Sequence, residues 1–115
     1  MRNIRHHAVI VTCNDRKIIE SIRIKVLELY KLHMEASSGA TLVSEIKDSI
    51  VNHYSSFFII PDGSKEGYDA SDDGDVIREK FIEYINPLCK SEEYHLSYGE
   101  ISYGADDHTT TFRHN

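Results

Sequence analysis

Apolar residues recur along this chain in two rhythms, one of strands and one of helices. Ala8-Val9-Ile10-Val11 is a continuous, mostly β-branched run and predicts a strand buried on both faces. Asn14 or Asp15 then stands where a side-chain oxygen can accept from the first free N–H groups of a helix. Ile18, Ile19, Ile22, Val26, Leu29, Tyr30 and His33 make one helical stripe, which Ser37-Ser38-Gly39 ends. Thr41 to Ile50 has mixed polarity and suits an edge strand. Val51-Asn52-His53 reads as a turn. Tyr54 to Ile60, with Phe57-Phe58-Ile59-Ile60 unbroken, reads as a second central strand stopped by Pro61 and Gly63. A second helix starts at Ser71 or Asp72 and ends at Pro87, with Ile77, Phe81, Tyr84, Ile85 and Leu88 as its buried stripe. Asp72, Asp73 and Asp75 crowd its first turn, where the helix dipole favours negative charge. Tyr94 to Tyr103 reads as a strand, Gly104 to His108 as a turn, and Thr109 to Arg113 as a last short strand. Residues 113–115 read as a disordered tail.

The predicted order is β-α-β-β-α-β with a C-terminal β-hairpin extension, an α+β, ferredoxin-like sandwich. That topology puts its first and third strands in the middle of the sheet. The two most apolar runs, 8–11 and 57–60, are those strands. Helices cover one face of such a sheet, yet both central strands are apolar on both faces. The second face is therefore expected to be covered by the C-terminal hairpin or by another subunit, which predicts a homodimer through the open sheet face.

The chain of 115 residues, 40% hydrophobic and 28% charged, is read as a single domain over 1–115. Its net charge of −6 argues against duplex nucleic acid, which needs a basic face. The start of the chain is polar and its first apolar run is short, so no signal peptide is read, and no stretch is long enough to span a bilayer. Membrane contact is not expected, and a cytoplasmic location is. Cys13 and Cys89 are read as reduced thiols. No cofactor motif is present.

The candidate chemistry gathers at one end of the sheet. There the Pro61–Tyr68 loop should meet the N-terminal Arg5, His6 and His7, while Thr12, Cys13, Asn14 and the Asn52-His53 turn gather at the opposite end. Asp62, Glu66 and Asp73 are weak candidates for a divalent cation, in an arrangement that echoes an EF-hand loop. Yet a strand precedes that loop, its last ligand is Asp, and Ala70 fills a ligand position, so a solvated turn and a helix cap explain the acids better. Gly63-Ser64-Lys65, aided by Arg5, could cradle an anion with a backbone N–H, a hydroxyl and an ammonium, although the spacing is not that of a P-loop. The chain's seven histidines show no zinc-site spacing. Cys13 beside His53 and Asn14 invites a thiol nucleophile, but a small buried hydrophobe is the simpler use.

His7–Thr12, Val51–Phe57, Pro61-Asp62-Gly63-Ser64-Lys65-Glu66-Gly67-Tyr68, and Ser71-Asp72-Asp73-Gly74-Asp75 with Arg78 and Phe81-Ile82 together resemble a family of small uncharacterised bacterial and phage proteins. The chain departs from that family by carrying Tyr68 and Tyr84 in place of Trp and His53 in place of Gly. The resemblance brings no established activity with it. It implies that the loop, with Asn52 and Ser56, is more than a turn. Arg5, His7, Asn52, Ser56, Asp62, Ser64, Lys65, Glu66 and Tyr68 are accordingly the candidate ligand-binding residues. The leading expectation is a non-enzymatic binding protein, phage-encoded in one version, that holds a small anionic ligand or a host protein near this loop. The alternatives are a divalent-metal-dependent enzyme acting on a phosphorylated substrate and a structural or assembly protein working through the open sheet face.

Overall fold

The computed structural model describes residues 4–33, 42–63, 69–104 and 111–115. The elements are β1 (Arg5–Cys13), α1 (Arg16–His33), β2 (Lys47–Asp48), β3 (Ser55–Ile59), α2 (Asp69–Leu88), β4 (Leu96–Gly104) and β5 (Thr111–His114). They make an α+β fold. The strands form one sheet in the order β2-β3-β1-β4-β5, antiparallel at every step.

Alternation along the strands divides the sheet into two faces. Val9, Val11 and Cys13 of β1, Phe57 and Ile59 of β3, and Leu96 and Tyr98 of β4 are buried. They pack against Ile19, Ile22, Val26, Leu29 and Tyr30 of α1 and against Ile77, Phe81, Ile82 and Ile85 of α2 in one core. Asp15 is the residue that caps α1: its carboxylate accepts from the N–H groups of Lys17 at 3.0 Å and Ile18 at 3.2 Å. Asn14 does something else. Its side-chain oxygen accepts the His95 N–H at 2.8 Å, tying the end of β1 to the start of β4.

Several expectations need correction. α2 begins at Asp69, so Asp73 and Asp75 lie past the first turn, where the helix dipole no longer favours them strongly. Ile82 joins the buried stripe, whereas Tyr84 and Leu88 only flank the core. The edge strand expected over 41–50 shrinks to Lys47–Asp48 and an isolated bridge between Val43 and Ile59. The reason lies in contacts from other elements. Arg23 Nε of α1 donates to the Ser44 carbonyl at 2.8 Å, and the Ser44 hydroxyl accepts the Phe58 N–H at 2.7 Å where an edge strand would present a backbone carbonyl. Residues 113–115 are no tail: Arg113 and His114 belong to β5, and the Asn115 side-chain oxygen accepts the Tyr98 N–H at 2.8 Å.

β5 lengthens the sheet edge-on beside β4 and does not fold over the second face. Ile10, Phe58 and Phe112, at 41%, 43% and 72% relative exposure, stay in contact with solvent on that face.

Candidate functional site

The Pro61 loop leaves β3 at the end of the sheet where β1 begins and β4 ends. The helix-facing positions there turn polar. Arg5 and His7 of β1 pair in register with Gly104 and Ser102 of β4, and Glu100 pairs with Arg113 of β5. α2 brings Asp75, Arg78 and Glu79 over these positions. The result is a pocket of about 390 Å³ whose walls include His7, Arg78, Glu100, Ser102, Thr111 and Arg113.

Arg78 organises the pocket. Its side chain is only 7% exposed, and a buried guanidinium is tolerated only when it is paired. Asp75, one helical turn before it, accepts from its Nη2, and Glu100 lies 4.0 Å from its Nε. Glu100 is itself mostly buried, and one of its oxygens accepts from both Nε and Nη2 of Arg113 at 2.7 Å. Arg113 also reaches Glu79 at 2.8 Å. The order is therefore cation, anion, cation, with Asp75 and Glu79 at the two ends.

Gly74 fits this arrangement closely. A β-carbon there would stand 3.1 Å from both Arg78 Nη1 and Asp62 Oδ2, so the glycine lets the loop carboxylate and the helix guanidinium share one space. The same pair is felt at Tyr30. Burial pushes its hydroxyl up to about 12, Arg78 pulls the other way, and Asp62 adds to the rise. The His7 imidazole is held below its ordinary value, first by burial and then by Arg78, against the opposing pull of Asp75 and Glu100. It is therefore biased towards the neutral ring.

The expected site residues divide into groups. Arg5, His7 and Asp62 do lie at this end. Arg5 is already engaged: its Nε donates to Ser102 Oγ at 2.8 Å and its Nη1 to the Gly104 carbonyl at 3.3 Å. Asn52 lies at the opposite end, in the β2–β3 turn, where it and His53 take positive φ angles of 66° and 58°. Ser56 faces the open side of the sheet and shares a 2.7 Å hydrogen bond with the Thr12 hydroxyl. Neither is brought to the Asp62 end. Ser64, Lys65, Glu66 and Tyr68 lie outside the described residues; just before them, Gly63 takes a left-handed φ of 77°. Asp73 is exposed on α2, and among the described residues no three His, Cys, Asp or Glu side chains gather as a metal ion requires. Both cysteines are free, and burial pushes the Cys13 thiol up, away from a reactive thiolate.

Arg78, Glu100 and Arg113 were not among the expected site residues. Arg78 carried a legible signal, a charged residue set among apolar neighbours on the buried stripe, beside Ile77 and one turn before Ile82. Glu100 and Arg113 become partners only through the β4–β5 register.

A second concavity lies on the open face. It measures about 470 Å³ and is lined chiefly by Ala8, Ile10, Phe58, Gly99, Ile101 and Phe112.

No family model and no curated protein matches the chain. Among solved structures, the adenylyl cyclase CyaB from P. aeruginosa is similar at 12% identity and a TM-score of 0.30, with 100% of this chain and 68% of that one covered. The guanylyl cyclase Cya2 is similar at 15% identity and a TM-score of 0.22, with 100% and 66% covered. Likenesses this low carry no argument about the present chain.

Proposed function

We infer that this chain is a non-enzymatic interaction protein and that its binding surface is the open face of the sheet. One observation carries the reading: the apolar groove between Phe58 and Phe112, with Ile10 in its floor, stands uncovered among the described residues. Contiguous apolar surface of this kind on a small domain commonly marks a contact site. The polar end supports an anion less well, because Arg5, Arg78 and Arg113 are all engaged by protein acceptors. The reading takes the architecture as ferredoxin-like with an added C-terminal strand, supported by the run β2-β3-β1-β4 within the sheet. It also places the protein in the cytoplasm, where Cys13 and Cys89 would stay reduced.

The test is a photoreactive phenylalanine analogue at position 58, compared with one at Leu32, which is exposed on α1. Protein adducts should form at position 58 in the producing cell and not at 32. Equal yields at both positions would sink the reading.

A second reading keeps one observation, the polar pocket walled by His7, Arg78, Ser102 and Arg113. A small anionic ligand seated there should raise the thermal midpoint in a panel of phosphate and nucleotides. Lys65→Ala should abolish that response. The metal-dependent enzyme is tested in the same assay by magnesium, calcium and manganese.

A further inference from the structure

We propose that the occupant of the open sheet face is a second copy of this chain, related by a twofold axis, with Phe112 of each copy seated over Gly99 of the other. The proposal rests on the sheet face being the binding surface and names its partner.

The face is shaped to complement itself. Phe112, at 72% exposure, is the most prominent ring on this face. Gly99 lies within β4, flanked across the ladders by Ile10 of β1 and His114 of β5. A residue without a side chain leaves a hollow there. A β-carbon built at Gly99 would meet only Ile10 Cγ2, at 3.7 Å, so the glycine provides room and is not forced by a close approach. One face thus carries both a ridge and a hollow, and an isologous interface needs a patch that complements itself.

Its charge also suits a second copy. The chain carries a net −6. Within β1, β3, β4 and β5 the Asp, Glu, Lys and Arg residues are Arg5, Glu100 and Arg113, and alternation puts all three on the helix side. Two acidic copies can therefore meet on this face without placing like charges in contact. A basic partner would find no carboxylate on the open side of these strands to pair with. Lys47 of β2, in register with Ser56, stands at the rim.

Ile10, Phe58, Ile60, Tyr103 and Phe112 are all well exposed, and at roughly 200 Å² per side chain they leave about 500 Å² in water. A stable interface takes about 800 Å² per partner. Thr12, Ser56 and His6, half-buried, and His114, exposed, add a smaller polar surround, which sets the contact at the small end of stable interfaces.

Sedimentation velocity of the intact chain over a range of concentrations should show a monomer–dimer equilibrium. Gly99→Leu fills the hollow and should weaken association roughly thirtyfold, the scale of a hot-spot loss. It should not lower the thermal midpoint of the monomer, because the site has room and a strand favours Leu over Gly. Phe112→Asp, at an exposed position that folding does not need, should dissociate the dimer in the same way. A wild-type chain that stays monomeric at the highest concentration overturns the proposal, as does a Gly99→Leu variant that associates normally. If the chain is monomeric while position 58 still gives adducts with another protein, the second copy is ruled out and the interaction reading stands.

Discussion

Gly74 and Asp62 are held so close that a β-carbon on the glycine would stand 3.1 Å from the Asp62 carboxylate. The same β-carbon would stand 3.1 Å from Arg78 Nη1, and Arg78 is not free to swing aside because Asp75 and Glu100 hold it. In an exposed helix Gly→Ala stabilises by about 1 kcal/mol, whereas overpacking costs about 1–3 kcal/mol. Gly74→Ala should therefore lower stability by about 1 kcal/mol, read from urea unfolding. In an Asp62→Ala background the same substitution should become neutral or stabilising, because one of the two obstacles is gone. A stabilising Gly74→Ala in the native background would show that the neighbours yield freely.

Glu100 and Asp75 are both ion-paired with Arg78, but they should behave differently when replaced. Glu100 is 14% exposed and lies between two guanidinium groups, whereas Asp75 is 57% exposed. Glu100→Leu leaves Arg78 and Arg113 facing each other without the intervening carboxylate and should cost about 3 kcal/mol, the range for breaking a buried pair. Asp75→Asn should cost about 0.5 kcal/mol, since solvent screens that pair. Comparable losses in the two variants would mean that the arginines are not organised around Glu100.

His7 predicts a pH dependence with a definite sign. Its folded-state value lies below the ordinary 6.5. Between the folded value and about 6.5 the unfolded chain therefore binds more protons than the folded one, so stability falls as pH drops through that window. Asp48 acts in a separate, lower range. The hydroxyl of Ser55 and the Arg16 guanidinium hold its carboxyl below 3.8, and the stability this contributes is lost only as pH falls through its folded value. The urea midpoint of the native chain should fall more steeply between pH 7 and pH 5 than that of His7→Gln. Parallel profiles would show that the buried environment of His7 does not persist in solution.

How much of this was legible in the sequence depended on whether the cause was local. The two strands written as unbroken apolar runs are there, but only one face of each is buried: Val9, Val11, Phe57 and Ile59 face the core while Ile10 and Phe58 stay exposed. The α1 stripe holds at Ile19, Ile22, Val26, Leu29 and Tyr30, because helical spacing alone decides which side faces the core. The extent of β2 was not legible, since it is set by Arg23 on another element reaching the Ser44 carbonyl. The polar site was legible only in part. Arg5, His7 and Asp62 could be placed at one sheet end from topology, while Glu100 and Arg113 meet only through a register that no local pattern encodes. The expected cover for the second face misread the C-terminal hairpin in one respect: Thr111 and Arg113 continue the hydrogen-bond ladder of β4, and Phe112 is left standing on the face.

Ser44 gives the sharpest test of how the short β2 edge is held. Its hydroxyl oxygen accepts the Phe58 N–H while its carbonyl accepts from Arg23, so one residue serves both the sheet and α1. Ser44→Ala removes the acceptor of Phe58 and should cost about 1 kcal/mol, the usual net worth of such a bond. Arg23→Ala frees the Ser44 carbonyl, which can then turn towards β3 and complete the ladder, so its cost should be smaller. The two effects should not add: once Arg23 is gone, the backbone carbonyl replaces the lost hydroxyl, and Ser44→Ala should cost less than it does alone. Amide exchange at Phe58 reads the same contest directly. It should quicken in Ser44→Ala and return towards the native rate in the double variant. Additive losses with no recovery of protection would mean that the carbonyl is held away from β3 by something other than Arg23.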